Sequence, residues 1–154
     1  MENESSLGTK LTQPRSDHTG TARKLRTKDG SICPPPALII EDEIVIALGL
    51  QDAMSAMGFN HCDLASSDQR ARSLAMGSQP DVALVDVSLE GGREGIEAAR
   101  WLREVCEVPI VFVTAHGDED TLQRIREQVP GAPVLSKPVF RRTLADAVAE
   151  VTKH

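Results

Sequence analysis

The sequence is nearly devoid of aromatic surface. Tyrosine is absent, tryptophan occurs once and phenylalanine three times, so aromatic residues make up 3% of the 154. Platforms that stack single-stranded bases are therefore missing, and a core must be built from Val, Ile, Leu and Ala. Cysteine is also scarce: three thiols, none in a CxxC pair, exclude a disulfide framework and a zinc site of ordinary spacing. No apolar run is long enough to span a bilayer, and no secretory leader pattern opens the chain. Positive charge is in deficit, with 17 Lys and Arg against 23 Asp and Glu, a formal net charge of -6. An acidic chain is a poor general ligand for phosphate backbones or anionic lipid. The expectation is a cytoplasmic protein that binds neither DNA nor membrane directly. Its length is that of one domain, or one domain with a tail, with no room for an attached DNA-binding domain.

What is present is unevenly spread. Residues 1–36 hold few large aliphatics and no helical or strand period, and they close on Pro34-Pro35-Pro36, a stiff extended spacer. They are expected to form a disordered tail, with residues 37–154 as the folded domain. Six basic side chains against four acidic ones give the tail +2, leaving -8 on the remainder. The basic cluster from Arg23 to Lys28 is too sparse to indicate a nucleic acid.

From residue 37 onward, short aliphatic runs alternate with amphipathic stretches. Strands are predicted at 37–40, 59–64, 81–85, 109–113 and 133–135. Helices are predicted at 44–57, from Ser66 or Ser67 to 76, and at 95–106, 118–128 and 140–151, with Gly58 closing the first and Asp118 capping the fourth. A strand–helix unit repeated five times, with uninterrupted aliphatic strands, predicts an α/β fold: a parallel sheet covered by helices on both faces. In such sheets ligands bind beyond the carboxyl ends of the strands.

Four of those five ends carry polar or charged residues. Glu41-Asp42-Glu43 follow the first strand, Asp86 the third, Thr114-Ala115 the fourth and Lys137-Pro138 the fifth. Taken singly, each has an ordinary explanation: a turn Asp, a solvated helix start, a strand-end hydroxyl, a surface lysine. Taken together they form a constellation with complementary charge. Asp42, Asp86 and Glu41 would repel one another unless a cation sat among them. Mg²⁺ suits hard oxygen ligands combined with phosphate. A phosphoryl group at Asp86 would meet the metal on one side, the Lys137 ammonium on another and the Thr114 hydroxyl as a donor, with small Ala115 leaving room.

Four segments carry a family resemblance: Leu38-Ile39-Ile40-Glu41-Asp42-Glu43, Asp81-Val82-Ala83-Leu84-Val85-Asp86, Ile110-Val111-Phe112-Val113-Thr114-Ala115-His116 and Val134-Leu135-Ser136-Lys137-Pro138. In order and spacing they resemble the receiver domain of bacterial two-component response regulators, over residues 37 to about 152. The resemblance implies a flavodoxin-like doubly wound sheet of five parallel strands, order 2-1-3-4-5, with five helices. It implies Asp86 as phosphoacceptor, Asp42 as a direct Mg²⁺ ligand, Glu41 contacting the metal through water and the Ser88 backbone carbonyl as a further ligand. Thr114 would be the switch hydroxyl and Lys137 the partner of the phosphoryl group, with a cis bond to Pro138. Val87, Ser88 and His116 flank the site where this family tunes phosphate lifetime.

The implied role is a signalling phosphoacceptor, not an enzyme beyond self-phosphorylation and slow autodephosphorylation. A sensor histidine kinase or histidine phosphotransfer protein would donate the phosphoryl group. Output would be altered binding of a downstream protein, or relay of the phosphoryl group, and a homodimer is left open. Two departures stand out. Val134 occupies a position often aromatic in receivers, so an aromatic toggle is missing, and Glu90 stands where many receivers have proline. The competing chemistry is an aspartyl-phosphate phosphohydrolase of the haloacid-dehalogenase type. That chemistry wants a second Asp two residues after the nucleophile, where this chain has Ser88. Trp101 reads as a core-edge residue, Cys62 and Cys106 as small core residues, and His18 and His61 have no ligand partner at metal spacing.

Overall fold

Five strands lie parallel: β1 (Pro36–Ile40), β2 (His61–Ala65), β3 (Val82–Asp86), β4 (Ile110–Thr114) and β5 (Val134–Ser136). A computed structural model describes them, together with the rest of residues 25–26, 32–33, 35–89, 94–115 and 117–153. The sheet order is β2-β1-β3-β4-β5, the doubly wound arrangement expected. Pairing runs Ile40 beside Ala65 and Val85, Asp86 beside Val113, and Thr114 beside Ser136, so the carboxyl ends finish nearly level.

Five helices connect and cover the strands: α1 (Ile44–Ala56), α2 (Asp68–Ser78), α3 (Glu94–Cys106), α4 (Glu119–Gln128) and α5 (Arg141–Thr152). Local chemistry starts two of them. Ser67 accepts from the Arg70 amide to cap α2, and Asp118 accepts from the Thr121 amide to cap α4. β3 and β4 are buried at every position, as an aliphatic strand between two helical layers must be.

The core is therefore two cores. On one face Leu38, Ile40, Ala83, Val85 and Phe112 pack with Ala71 and Ala75 of α2, Ile96 and Leu102 of α3, and Ile125 of α4. On the other, Ala37, Ile39, Leu84 and Val111 pack with Leu50 and Met54 of α1 and Leu144 and Val148 of α5. The period-two alternation of β-strands sends neighbouring residues to opposite sides.

Some boundaries differ from the sequence reading. α2 does not stop at Met76 but carries Gly77 and Ser78, and ends where Gln79 takes φ 50 in the left-handed region. The Ser78 hydroxyl donates to Leu74 O, which holds that last turn. β2 begins at His61; Phe59 is fully buried in the preceding turn, where its amide closes α1 on Met54 O. Pro36 already belongs to β1, a tolerated position for proline at the first residue of a strand. One short ladder falls within the residues read as a tail. Leu25–Arg26 pairs antiparallel with Ile32–Cys33. His18 and the rest of the tail before Leu25 lie outside the described residues.

Trp101 is half-buried against the α3 side of the core, and the Arg72 guanidinium stands 5.0 Å over its ring. It is the packing residue its spacing suggested. Cys62 donates its thiol to Phe59 O, and burial pushes its pKa up to about 11. A thiol held protonated in this way is chemically inert. Among the described residues, no helix is long and apolar enough to cross a membrane.

Candidate functional site at the carboxyl edge

The level strand ends bring the predicted side chains together. Asp86 is the last residue of β3 and is only 5% exposed. Its Oδ1 accepts from the Ser88 amide at 3.1 Å, a turn contact that fixes the carboxylate. Its Oδ2 accepts from Lys137 Nζ at 3.4 Å. Lys137 reaches this point because it directly follows β5 and because its amide donates to Thr114 O at 2.9 Å, tying the end of β4 to the lysine-bearing turn. The Lys137–Pro138 bond is cis. Thr114 ends β4 and is buried, and Ala115 beyond it is exposed.

Glu41 is the part the sequence reading underestimated. It is 4% exposed, and its Oε1 lies 3.0 Å from Lys137 Nζ. The lysine thus stands between two carboxylates from β1 and β3, strands that flank each other in the sheet. The Oε1 contact is an ion pair without hydrogen-bond alignment, and Oε1 has no hydrogen-bond partner although it is fully covered. Oε2 accepts from the Glu43 amide at 3.2 Å.

Burial raises the Glu41 pKa above its ordinary value by more than the Lys137 pairing lowers it. The charge of Asp86 raises it further, while the Glu43 amide lowers it. For Lys137 burial works downward, but the two carboxylates outweigh it and the net shift is upward.

Oxygens of Glu41, Asp42 and Asp86 all lie within 4.8 Å of one another. Three hard anionic ligands at that spacing, one of them a buried oxygen without a donor, fit a divalent cation with a partial water shell. Lys137 alone leaves one negative charge uncompensated even if Asp42 is set aside. Each of these positions is placed at a strand end by the aliphatic pattern, but nothing in that pattern signals that Glu41 is as buried as Asp86.

Of the residues expected to flank the site, Val87 is buried in the α3-side core, as an aliphatic residue is drawn to be. Ser88 is half-buried at the pocket, whereas His116 and Glu90 lie outside the described residues. One contact at this edge had no place in the sequence reading beyond a helix start. Gly95, in the first turn of α3, is buried against the backbone of Asp86 and Val87.

Fold and site define a class: a doubly wound α/β domain with an acidic pocket at its carboxyl edge faced by a single lysine. The chain belongs to the response regulator receiver domain family, whose sequence model matches residues 37–149. It is 36% identical over 80 residues to the phyllosphere-induced regulator PhyR of Methylorubrum extorquens, covering 51% of this chain and 30% of that protein. It is 33% identical over 94 residues to the transcriptional regulatory protein PdtaR of Mycobacterium tuberculosis, covering 61% and 45%. The chain thus matches less than half the length of either relative. Among solved structures, the signal receiver domain of a modulated diguanylate cyclase from Desulfovibrio desulfuricans superposes with a TM-score of 0.70 at 32% identity, covering 77% of this chain and 94% of that one. A CheY-like receiver domain from Methanospirillum hungatei gives 0.68 at 19% identity over 76% and 92%, a likeness of fold.

Proposed function

We propose that this protein is the phosphoacceptor of a two-component or phosphorelay system, with Asp86 as the residue phosphorylated. The observation that carries the reading is the geometry of Asp86: buried, fixed by the Ser88 amide, 3.4 Å from Lys137 Nζ and grouped with Glu41 and Asp42. A carboxylate so placed can attack the phosphorus of a phosphohistidine, whose phosphorus–nitrogen bond breaks as the new phosphorus–oxygen bond forms. A histidine kinase or a histidine phosphotransfer protein is the donor class this chemistry requires.

Asp42, Asp86 and the Ser88 carbonyl would hold Mg²⁺, with Glu41 acting through water. Bound there, the ion would neutralise charge on the phosphoryl oxygens. Lys137, 3.0 Å from Glu41 and 3.4 Å from Asp86, supplies a second positive charge for the phosphoryl oxygens. Thr114, buried one residue before exposed Ala115, is the hydroxyl positioned to bond a phosphoryl oxygen. Because Thr114 O accepts the Lys137 amide, a shift of Thr114 is felt directly by β5 and the turn before α5. Val134, half-buried against the core, leaves no aromatic side chain to swing at that strand. The signal would therefore leave through backbone movement at β4 and β5, altering a surface of α4, β5 and α5 that binds another protein.

The test is labelling by a small-molecule phosphodonor with Mg²⁺. Wild type should take up one phosphoryl group, and Asp86→Asn should take up none. Retained labelling in Asp86→Asn would sink the assignment.

A further inference from the structure

Five glycines show what a side chain would meet at their positions, and one stands apart. A methyl group built on Gly49, Gly77 or Gly117 meets nothing within 4 Å, and Gly131 is needed for its φ of +86. A methyl group on Gly95 would stand 2.8 Å from the Asp86 carbonyl carbon and 2.9 Å from Val87 Cα, and closer still to the Asp86 carbonyl oxygen. All three are backbone atoms, so no side chain can swing aside to make room. Gly95 has ordinary helical φ, and its amide donates to Val87 O at 3.2 Å. Glycine here serves close approach, not conformational freedom.

From this we infer that Gly95 is a positioning residue for the phosphoacceptor: the bare first turn of α3 is the surface against which the Asp86–Val87 backbone is set. Asp86 points its carboxylate across the pocket from that backbone. Its partners lie at fixed reach, the Ser88 amide at 3.1 Å and Lys137 Nζ at 3.4 Å. A methyl group at residue 95 must either lift α3 off the sheet or push the end of β3 toward the pocket. Ile96 and Leu102, fully buried in the α3-side core, resist the first. The displacement then falls on Asp86, and misplacement of a reacting group by about 1 Å costs on the order of 100-fold in rate.

The inference rests on Asp86 being the acceptor, and the test separates the two. Wild type, Gly95→Ala and Gly77→Ala are compared for phosphorylation by acetyl phosphate at saturating donor and Mg²⁺. Each rate is divided by the fraction of sites that bind beryllofluoride, so that loss of folded protein alone does not count. The expected result is a per-site rate for Gly95→Ala at least about 10-fold below wild type, with Gly77→Ala unchanged. A Gly95→Ala rate within twofold of wild type overturns the positioning role while leaving the acceptor assignment intact. Wild type that takes up no phosphoryl group overturns the acceptor assignment instead. Should Gly95→Ala not fold, the wild-type amide resonance of Gly95 decides. On addition of Mg²⁺ and beryllofluoride it should shift together with that of Val87, and a Gly95 amide that stays put while Val87 moves overturns the inference.

Discussion

At the residue scale the site is governed by one imbalance: two buried carboxylates share one lysine. Glu41 shows it most clearly, since burial holds its pKa above the ordinary 4.5 in spite of Lys137. The folded protein thus binds that proton more tightly than the unfolded chain does. This contribution to stability is complete below the ordinary value and is lost as pH rises through the raised one. Glu41→Gln removes the ionisation. In the presence of a chelator, the variant and wild type should have similar urea midpoints near about pH 4, with the variant increasingly more stable toward about pH 8. Its affinity for Mg²⁺ should fall at the same time. A variant that is less stable than wild type at about pH 8 would refute the reading. The acidic residues themselves were legible in the sequence because each follows an aliphatic strand. The depth of Glu41 was not, because it depends on Lys137 folding over it from a strand far along the chain.

Within the elements, two positions carry backbone conformations at odds with their side chains. Glu107, between α3 and β4, is exposed and has φ 56, a left-handed conformation that costs a non-glycine residue about 1 kcal/mol. Gly49, within α1, is the reverse: a helical glycine with open space where a side chain would be. Glu107→Gly and Gly49→Ala should each raise unfolding free energy by about 0.5–1 kcal/mol, read from the denaturant midpoint at unchanged slope. A loss of stability in Gly49→Ala would show that the space beside it is not open. Helix caps such as Ser67 and Asp118 were readable from sequence because a cap is a local event. The end of α2 was not: the expected end at Met76 lay in the right neighbourhood, but Gly77 and Ser78 continue the helix before Gln79 turns the chain toward β3. The Leu25–Arg26 ladder escaped for the opposite reason, since two residues are too few to show a period.

Across the whole molecule, the fold was legible because its pattern is redundant. Five aliphatic runs, each followed by an amphipathic stretch, admit few arrangements other than a doubly wound sheet. What no linear pattern records is close approach, as at Gly95, or which side of the sheet a given aliphatic serves. The latter has a measurable consequence. Ile39 and Ile40 are consecutive in β1 but belong to different cores, whereas Ile40 and Val85 are pairing partners within one core. Ile39→Val and Ile40→Val should each cost about 0.5–1.5 kcal/mol and add to within about 0.5 kcal/mol in the double variant. Ile40→Val with Val85→Ala should depart from additivity by more. Equal coupling in both cycles would mean that the two faces are not separate. If they are separate, the sheet is a partition between two compartments that can drift independently over generations. The α1–α5 side can be recast to suit a new neighbour while the α2–α3 side, with the strand that ends in Asp86 resting on it, keeps its shape. A single chemical event can in this way be inherited unchanged by proteins that speak to different listeners.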